Sequence, residues 1–212
     1  MLGARANPWL IALWGLAAPA LAQSGTADIT RENIEIMPFG GWRTGGGLAG
    51  ELAGTGLNLG LKSGASYGGA VDFNLHGGNF KIEALYSRQS TELESGSGLV
   101  PAGLGLNVEY LQAGLLQETG SEKGRFYISA LLGATRFDPE GFQSETKFSL
   151  SVGGGLKLFL NRHVGVRLDA RAFLTFMQAD TGAFCANGTC VFAYSGTNMW
   201  QGDFTAGLIL AF

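Results

Sequence analysis

The residues whose types and spacing could do chemistry are few. Gly64-Ala65-Ser66-Tyr67-Gly68 has the G-x-S-x-G spacing in which a serine on a sharp turn attacks a carbonyl. That chemistry needs a strand-turn-helix context and a histidine base. Here the serine sits where a glycine-rich segment meets an alternating one, and His76 and His163 both fall in short turns at the opposite end. No catalytic residue is assigned and no enzyme is expected. Two histidines in separate turns and two cysteines make no metal set, so neither a metal nor a cofactor is expected. The spacing GTGLNLG misses the dinucleotide fingerprint. Cys185 and Cys190 bracket Ala186-Asn187-Gly188-Thr189, whose Asn-Gly is a turn signal. In an oxidising compartment they are expected to form a disulfide worth roughly 2 kcal/mol that stiffens a loop.

The remaining charges are periodic. From Val164 to Phe176 the odd positions Arg167, Asp169 and Arg171 are charged, while Val164, Val166, Leu168, Ala170, Ala172, Leu174 and Phe176 are apolar. The preceding stretch puts Phe148, Leu150, Val152, Leu156, Leu158 and Leu160 on one face, with Ser149, Ser151, Gly153, Gly155 and Lys157 on the other. Period two means strands, and an apolar face unbroken over roughly a dozen residues is the length of a tilted membrane-spanning strand. An Arg or Lys facing lipid at the midplane costs about 2 to 4 kcal/mol, so flipping this strand would cost on the order of 6 kcal/mol. The charges therefore face inward. Parity lets Lys157 sit opposite or diagonal to Asp169, and Gly153 and Gly155 leave room for Arg171.

These elements must be positioned by the whole chain. Residues 1–22 have a basic Arg5, an apolar stretch from Trp9 to Leu16 and an Ala20-Leu21-Ala22 site, which together predict a cleaved secretory signal peptide. A lead-in over 23–32 and a single barrel domain over 33–212 follow. No later run is long and apolar enough for a transmembrane helix, so a membrane span must be a closed barrel. A net charge of −3 argues against nucleic acid as a partner.

Eight strands are predicted. The first, 33–43, has Ile34, Ile36 and Trp42 against Glu35, Met37, Phe39 and Arg43, with Pro38 marking a bulge or one unpaired amide. The second, 65–75, turns Tyr67, Val71 and Phe73 outward and Asp72 inward. The third, 80–89, turns Ile82, Ala84 and Tyr86 outward and Lys81 and Glu83 inward. The fourth, 106–118, is expected to carry Leu106, Val108 and Tyr110 outward and Asn107 and Glu109 inward. The fifth, 125–137, allows two facings; the preferred one has Ser129 and Thr135 inward and Phe126, Ile128, Ala130 and Leu132 in lipid, while the other puts Tyr127 there. After the central hairpin, the eighth strand, 199–212, has Trp200, Phe204, Leu208, Leu210 and Phe212 against Gln201, Asp203 and Thr205. Segments 44–64, 90–105, 138–145 and 178–198 form the longer loops, and 76–79, 119–124 and 161–163 the short turns. The fold class is all-β: an eight-stranded antiparallel up-and-down transmembrane β-barrel, long loops at one end and short turns at the other. Trp42, Tyr67, Tyr86, Phe148, Phe176 and Trp200 outline one aromatic girdle; Phe80, Phe126 or Tyr127, and Phe212 outline the other.

The inward set Glu35, Arg43, Asp72, Lys81, Glu83, Glu109, Lys157, Arg167, Asp169, Arg171 and Asp203 could line a pore or pair into a network. An eight-stranded interior is just wide enough to be filled by side chains, which favours a plugged core.

IEIMPFGGWR at the first strand, SYGGAVDF at the second, GGGLKLFLNRHVGVRLDAR at the central hairpin and TAGLILAF at the end carry a family likeness. Over 33–212 the chain resembles the small outer-membrane β-barrel proteins of Gram-negative bacteria, the superfamily of OmpA- and OmpX-type barrels. The resemblance implies a place in the cell outer membrane among its lipids and lipopolysaccharide. It also implies an assembly signal in Thr205, Gly207, Leu210 and terminal Phe212, read by the barrel-assembly machinery. It carries over no catalytic residue. The function expected is a monomeric, non-enzymatic structural or adhesive role through the extracellular loops, their ligand unassigned. A narrow channel for ions or small apolar solutes is the alternative, a lipid-modifying barrel enzyme comes third, and a soluble secreted barrel is last.

Overall fold

The structure is a computed structural model that describes residues 33–52, 55–75, 79–95, 105–177, 182–186, 189–194 and 198–212. The signal peptide expected at 1–22, the lead-in at 23–32 and His76 lie outside the described residues.

Period-two alternation produces strands throughout: β1 (Ile34–Arg43), β2 (Gly47–Leu52), β3 (Thr55–Leu61), β4 (Gly64–Asn74), β5 (Phe80–Ser95), β6 (Gly105–Gly120), β7 (Gly124–Pro139), β8 (Glu145–Phe159), β9 (Val164–Thr175), β10 (Gly182–Ala186), β11 (Thr189–Tyr194) and β12 (Met199–Ala211). Eight of them form the wall in the order β5-β4-β1-β12-β9-β8-β7-β6, and β6 returns to β5, so the barrel is closed and antiparallel. Closure pairs the strand edges that hydrocarbon could not satisfy.

The registers set the tilt. A hydrogen-bonded row starting at Phe126 passes Leu156, Leu168, Ala206, Gly40, Tyr67, Arg88 and Glu109, and comes back to β7 at Arg136, ten residues beyond its start. Ten residues at about 3.3 Å against eight spacings of about 4.8 Å give a tilt of about 40°. At Pro38, which has no amide hydrogen, the β1–β12 ladder lapses over Met37 and Pro38 and resumes at Phe39 opposite Gly207 in the same register. The proline leaves a local gap rather than a bulge.

The other four strands correct an expectation. The segments 44–64 and 178–198, read as loops, contain the β2–β3 and β10–β11 hairpins. β5 runs on to Ser95, past its expected end, and pairs with β3 at Leu61–Leu93, Gly60–Glu94 and Leu59–Ser95. β11 joins β2 at Ala193–Glu51 and Tyr194–Gly50. The strand end projecting above the wall presents backbone groups that need partners, and the hairpins supply them.

Facing follows parity. Leu168, Phe204, Leu208, Ile128 and Leu132 are exposed on the outside, and Arg167 and Arg171 are buried within. On β7, Phe126 is exposed and Tyr127 buried, so the preferred facing is the one present. β6 is the exception: Leu106, Val108 and Tyr110 are buried inside, and Glu109 lies on the outer wall. Trp42, Tyr67, Tyr86, Phe148 and Trp200 are exposed toward the long-loop end, where the Phe148 and Phe176 rings stack at 5.7 Å. Phe80, Phe126 and Phe212 are exposed toward the other.

Candidate functional site

The residues that carry charge converge in the lumen in three tiers. Nearest the short turns, the β8 residue Lys157 points to the barrel axis. Its ammonium donates to Glu35 Oε2 at 2.6 Å, Asp72 Oδ2 at 2.7 Å and Glu118 Oε1 at 2.5 Å. Lys81 bonds Glu35 and lies 3.2 Å from Glu118, and Arg125 lies 3.5 Å from both Glu35 and Glu118. Three carboxylates meet three cations, so the tier is neutral as a unit. Such a carboxylate trio could hold a metal ion, but the position at its centre is filled by the Lys157 ammonium.

The middle tier is built on β9. Arg167 reaches Glu83 at 3.0 Å and Asp169 at 3.1 Å, and Arg171 reaches Glu83 at 2.7 Å and Asp169 at 3.4 Å. The Tyr127 hydroxyl donates to Asp169 and accepts from Arg167 Nε at 2.7 Å, while the Arg167 guanidinium lies 4.3 Å from the Tyr127 ring centroid. Arg171 also donates to Ser129 at 3.1 Å. Its room comes from Gly153 directly across the ladder, where a Cβ would lie 3.0 Å from the guanidinium carbon. The pair allowed by parity between Lys157 and Asp169 is replaced by these contacts. Lys157 stands opposite Arg167, and Gly155 stands opposite Asp169.

In the third tier Arg43 donates to Asp203 Oδ2 through Nε at 3.1 Å and Nη2 at 2.6 Å, and also to Ser87. Ser66 donates to Asp203 Oδ1 at 2.7 Å. Arg43 lies 4.9 Å from the ring centroids of both Tyr110 and Phe173, which stack at 4.1 Å. Tyr110 donates to Gln201 at 2.8 Å, and Gln201 to Gln89 at 3.2 Å. Above these, Leu61, Leu106, Val108, Phe137, Met177 and Met199 are buried together and fill the long-loop end of the lumen. A cavity between the second and third tiers, beside Met37, Leu85, Ser87, Arg167 and Asp203, has about 20 Å³, room for one water at most.

Of the eleven charged residues placed inside from sequence, the structure brings together Glu35, Arg43, Asp72, Lys81, Glu83, Lys157, Arg167, Asp169, Arg171 and Asp203. Glu109 is the correction: it sits outside, 3.3 Å from Arg88. The reason is that this end of the lumen is apolar, so the apolar face of β6 belongs inside. Glu118 and Arg125 were missed, although the parity of Gln112 and Glu118 with Tyr110 on β6 signals the true facing. Ser66 holds a buried bond to Asp203 instead of a histidine; His163 Nδ1 lies 3.0 Å from the Ala211 carbonyl oxygen in the opposite turn. Cys185 and Cys190 are register partners in the β10–β11 hairpin, and their side chains lie outside the described residues. Thr205, Gly207 and Leu210 lie on β12; Phe212 follows it, exchanging backbone bonds with Ile34 at 2.9 and 3.2 Å across the β1 seam.

Comparison with known proteins agrees with this geometry. The family model described as outer membrane protein beta-barrel domain matches residues 9–212. Among solved structures, the outer membrane protein OprG of Pseudomonas aeruginosa is similar at 12% identity, with 86% of this chain and 98% of that chain covered and a TM-score of 0.56. Outer membrane protein AlkL, solved in lipid bilayers, is similar at 10% identity, with 88% and 94% covered and a TM-score of 0.54. Neisserial surface protein A is similar at 12% identity, with 84% and 97% covered and a TM-score of 0.51. At such identities the likeness is one of fold. No curated protein matches the chain.

Proposed function

The chain belongs to the outer membrane protein beta-barrel domain family, and from that premise we propose that it is a non-enzymatic barrel acting through the surface it presents outside the cell. It resides in the outer membrane, among the lipids and lipopolysaccharide of that bilayer. The observation that carries the proposal is that, among the described residues, three neutralised tiers and an apolar cap are stacked across the lumen, with a cavity of about 20 Å³ between the second and third tiers where a conduit would need continuous space. Passage through the barrel is disfavoured, and Ser66, held by Asp203, is engaged in packing rather than hydrolysis. What remains available is the long-loop end, where β2, β3, β10 and β11 extend the wall into a sheet. In this reading the long-loop end faces outward and the termini lie in the periplasm, as the short turns on that side suggest. The barrel works as a monomer, delivered by the assembly machinery that reads Thr205, Gly207, Leu210 and Phe212.

The test is binding of the detergent-refolded protein to immobilised extracellular-matrix and envelope components, compared with a variant lacking residues 180–196. Saturable binding that the deletion abolishes supports the proposal. Binding that the deletion leaves intact, or none to any component, contradicts it.

A further inference from the structure

Beyond the girdle residue Tyr86 the outward rows of β5, β6 and β7 turn polar: first Arg88, Glu109 and Arg136, then Ser90, Asn107 and Asp138, then Glu92 and Gly105. Glu140 N donates to Gly105 O at 3.0 Å, and the Glu140 carboxylate lies over that glycine, where a Cβ would come within 2.9 Å of the carboxyl carbon. On the other side of β5 the kink that joins β3 to β4 is clamped. Lys62 N donates to Glu92 O at 3.1 Å, and Lys62 O accepts from Thr91 Oγ1 at 2.6 Å. Between these flanks lies an open pocket of about 450 Å³, lined along β5 by Ser90, Thr91 and Glu92. Its size falls within the roughly 300 to 1,000 Å³ of small-ligand sites.

We propose that this pocket binds a neutral saccharide presented from the aqueous side of the membrane. Its polar groups are fixed before any ligand arrives, which lowers the cost of ordering them. Ser90 donates to Asn107 Oδ1 at 2.8 Å, Ser63 Oγ accepts from Gly45 N at 2.8 Å, and the Lys62 ammonium reaches Glu92 at 2.7 Å. Those bonds leave the Asn107 amide hydrogens and the Glu140 carboxylate without side-chain partners among the described residues. Amide donors, a carboxylate acceptor and hydroxyls that do both suit the hydroxyls of a sugar ring, each of which donates and accepts. Charge narrows the ligand further. Over the three rows, the kink and Glu140, the cations Lys62, Arg88 and Arg136 meet the carboxylates Glu92, Glu109, Asp138 and Glu140. Lys62 pairs with Glu92, and Arg88 with Glu109 at 3.3 Å, so neither sign builds a field that would gather an ion. A phosphate or sulfate would meet Glu92 and Glu140, and a basic side chain would meet Lys62. An apolar ligand would strand the amide and the carboxylate. Ser90 stands two rows and Glu92 three rows beyond Tyr86, clear of the lipid-facing wall. The inference rests on the outward orientation given above but on no residue of the 180–196 segment, so it and the proposed role can fail separately.

The full chain, refolded in detergent without lipopolysaccharide, is applied to an array of neutral, sialylated and sulfated oligosaccharides, and the neutral one bound best is titrated calorimetrically. At least one neutral oligosaccharide should bind, with an affinity unchanged between about 0.05 and 0.5 M salt because no ion pair forms with the ligand. Glu140→Ala should weaken it about tenfold, the worth of one hydrogen bond to a charged group. Gly105→Ala alters no polar group but displaces the Glu140 carboxylate, and it should weaken binding too. Heat-modifiable migration shows that each variant is folded. The chain lacking residues 180–196 should bind as the parent does, and a loss there would move the site to that segment and overturn the assignment. So would binding confined to sialylated or sulfated glycans, binding to no neutral one, an affinity that falls with salt, or an unchanged Glu140→Ala variant.

Discussion

Lys157 and Arg167 stand directly opposite each other across the β8–β9 ladder, two cations in a position where like charges ordinarily repel. They coexist because Asp72 lies between them, 2.7 Å from Lys157 and 3.8 Å from Arg167, and because each ammonium or guanidinium reaches a different tier. Breaking a buried ion network by removing one partner typically costs about 3 to 5 kcal/mol. Lys157→Met should therefore lower the unfolding free energy of the refolded barrel by about that much, since Glu35, Asp72 and Glu118 lose their shared cation. Urea unfolding in lipid vesicles measures it. A loss well under about 1 kcal/mol would mean that the carboxylates are not held as described.

Gly153 and Gly40 should respond in opposite ways to a side chain. At Gly153 a Cβ falls 3.0 Å from the Arg171 guanidinium carbon, whereas at Gly40 the nearest atom is 3.8 Å away. Gly153→Val should destabilise by about 1 to 3 kcal/mol through overpacking, and Gly40→Ala should be neutral or slightly favourable. Thermal unfolding of the two variants in detergent checks the contrast, and equal shifts would refute it.

Cys185 and Cys190 are partners in the β10–β11 register, and the disulfide between them is an expectation from their compartment that thiol chemistry can test. Protein isolated without reductant should not react with maleimide until it is reduced, after which two labels should add. Labelling before reduction would show free thiols.

Phe212 closes the seam between the two ends of the chain by backbone bonds to Ile34, while its ring is exposed on the outer wall. Phe212→Ala should therefore fold normally in detergent, where the backbone bonds suffice, yet reach the outer membrane poorly in cells if the ring is read during assembly. Cell fractionation beside heat-modifiable gel migration separates the two. Normal insertion in cells would remove Phe212 from the assembly signal.

Most of the wall was legible because period two is dictated by strand geometry, and because charges such as Arg167 and Asp169 fix which parity meets lipid. β6 was misread in its first half, where Leu106, Val108 and Tyr110 look like a lipid face but pack against Phe137, Phe173 and Met199 at the apolar end of the lumen. An interior that is polar at one end and apolar at the other gives no local sign of its facing; only Gln112 and Glu118 further along the strand do. The β2–β3 and β10–β11 hairpins escaped notice for a different reason. The β2–β3 sequence is glycine-rich with little strand preference of its own and forms by continuing the edge that β5 raises above the wall, whereas β10–β11 carries the strand formers Phe184, Val191, Phe192 and Tyr194 in runs of only five and six residues and joins the sheet at β2. The clustering of the charges into three tiers depends on shear, which sequence does not specify.

Ion flux through the refolded protein in planar bilayers tests most directly whether the lumen is a neutralised, filled core. With insertion scored by heat-modifiable migration, the parent should pass no steady unit current. A Tyr110→Ala, Phe173→Ala variant, which deletes the stacked rings over Arg43, should begin to conduct. Steady conductance steps from the unaltered protein would contradict the account.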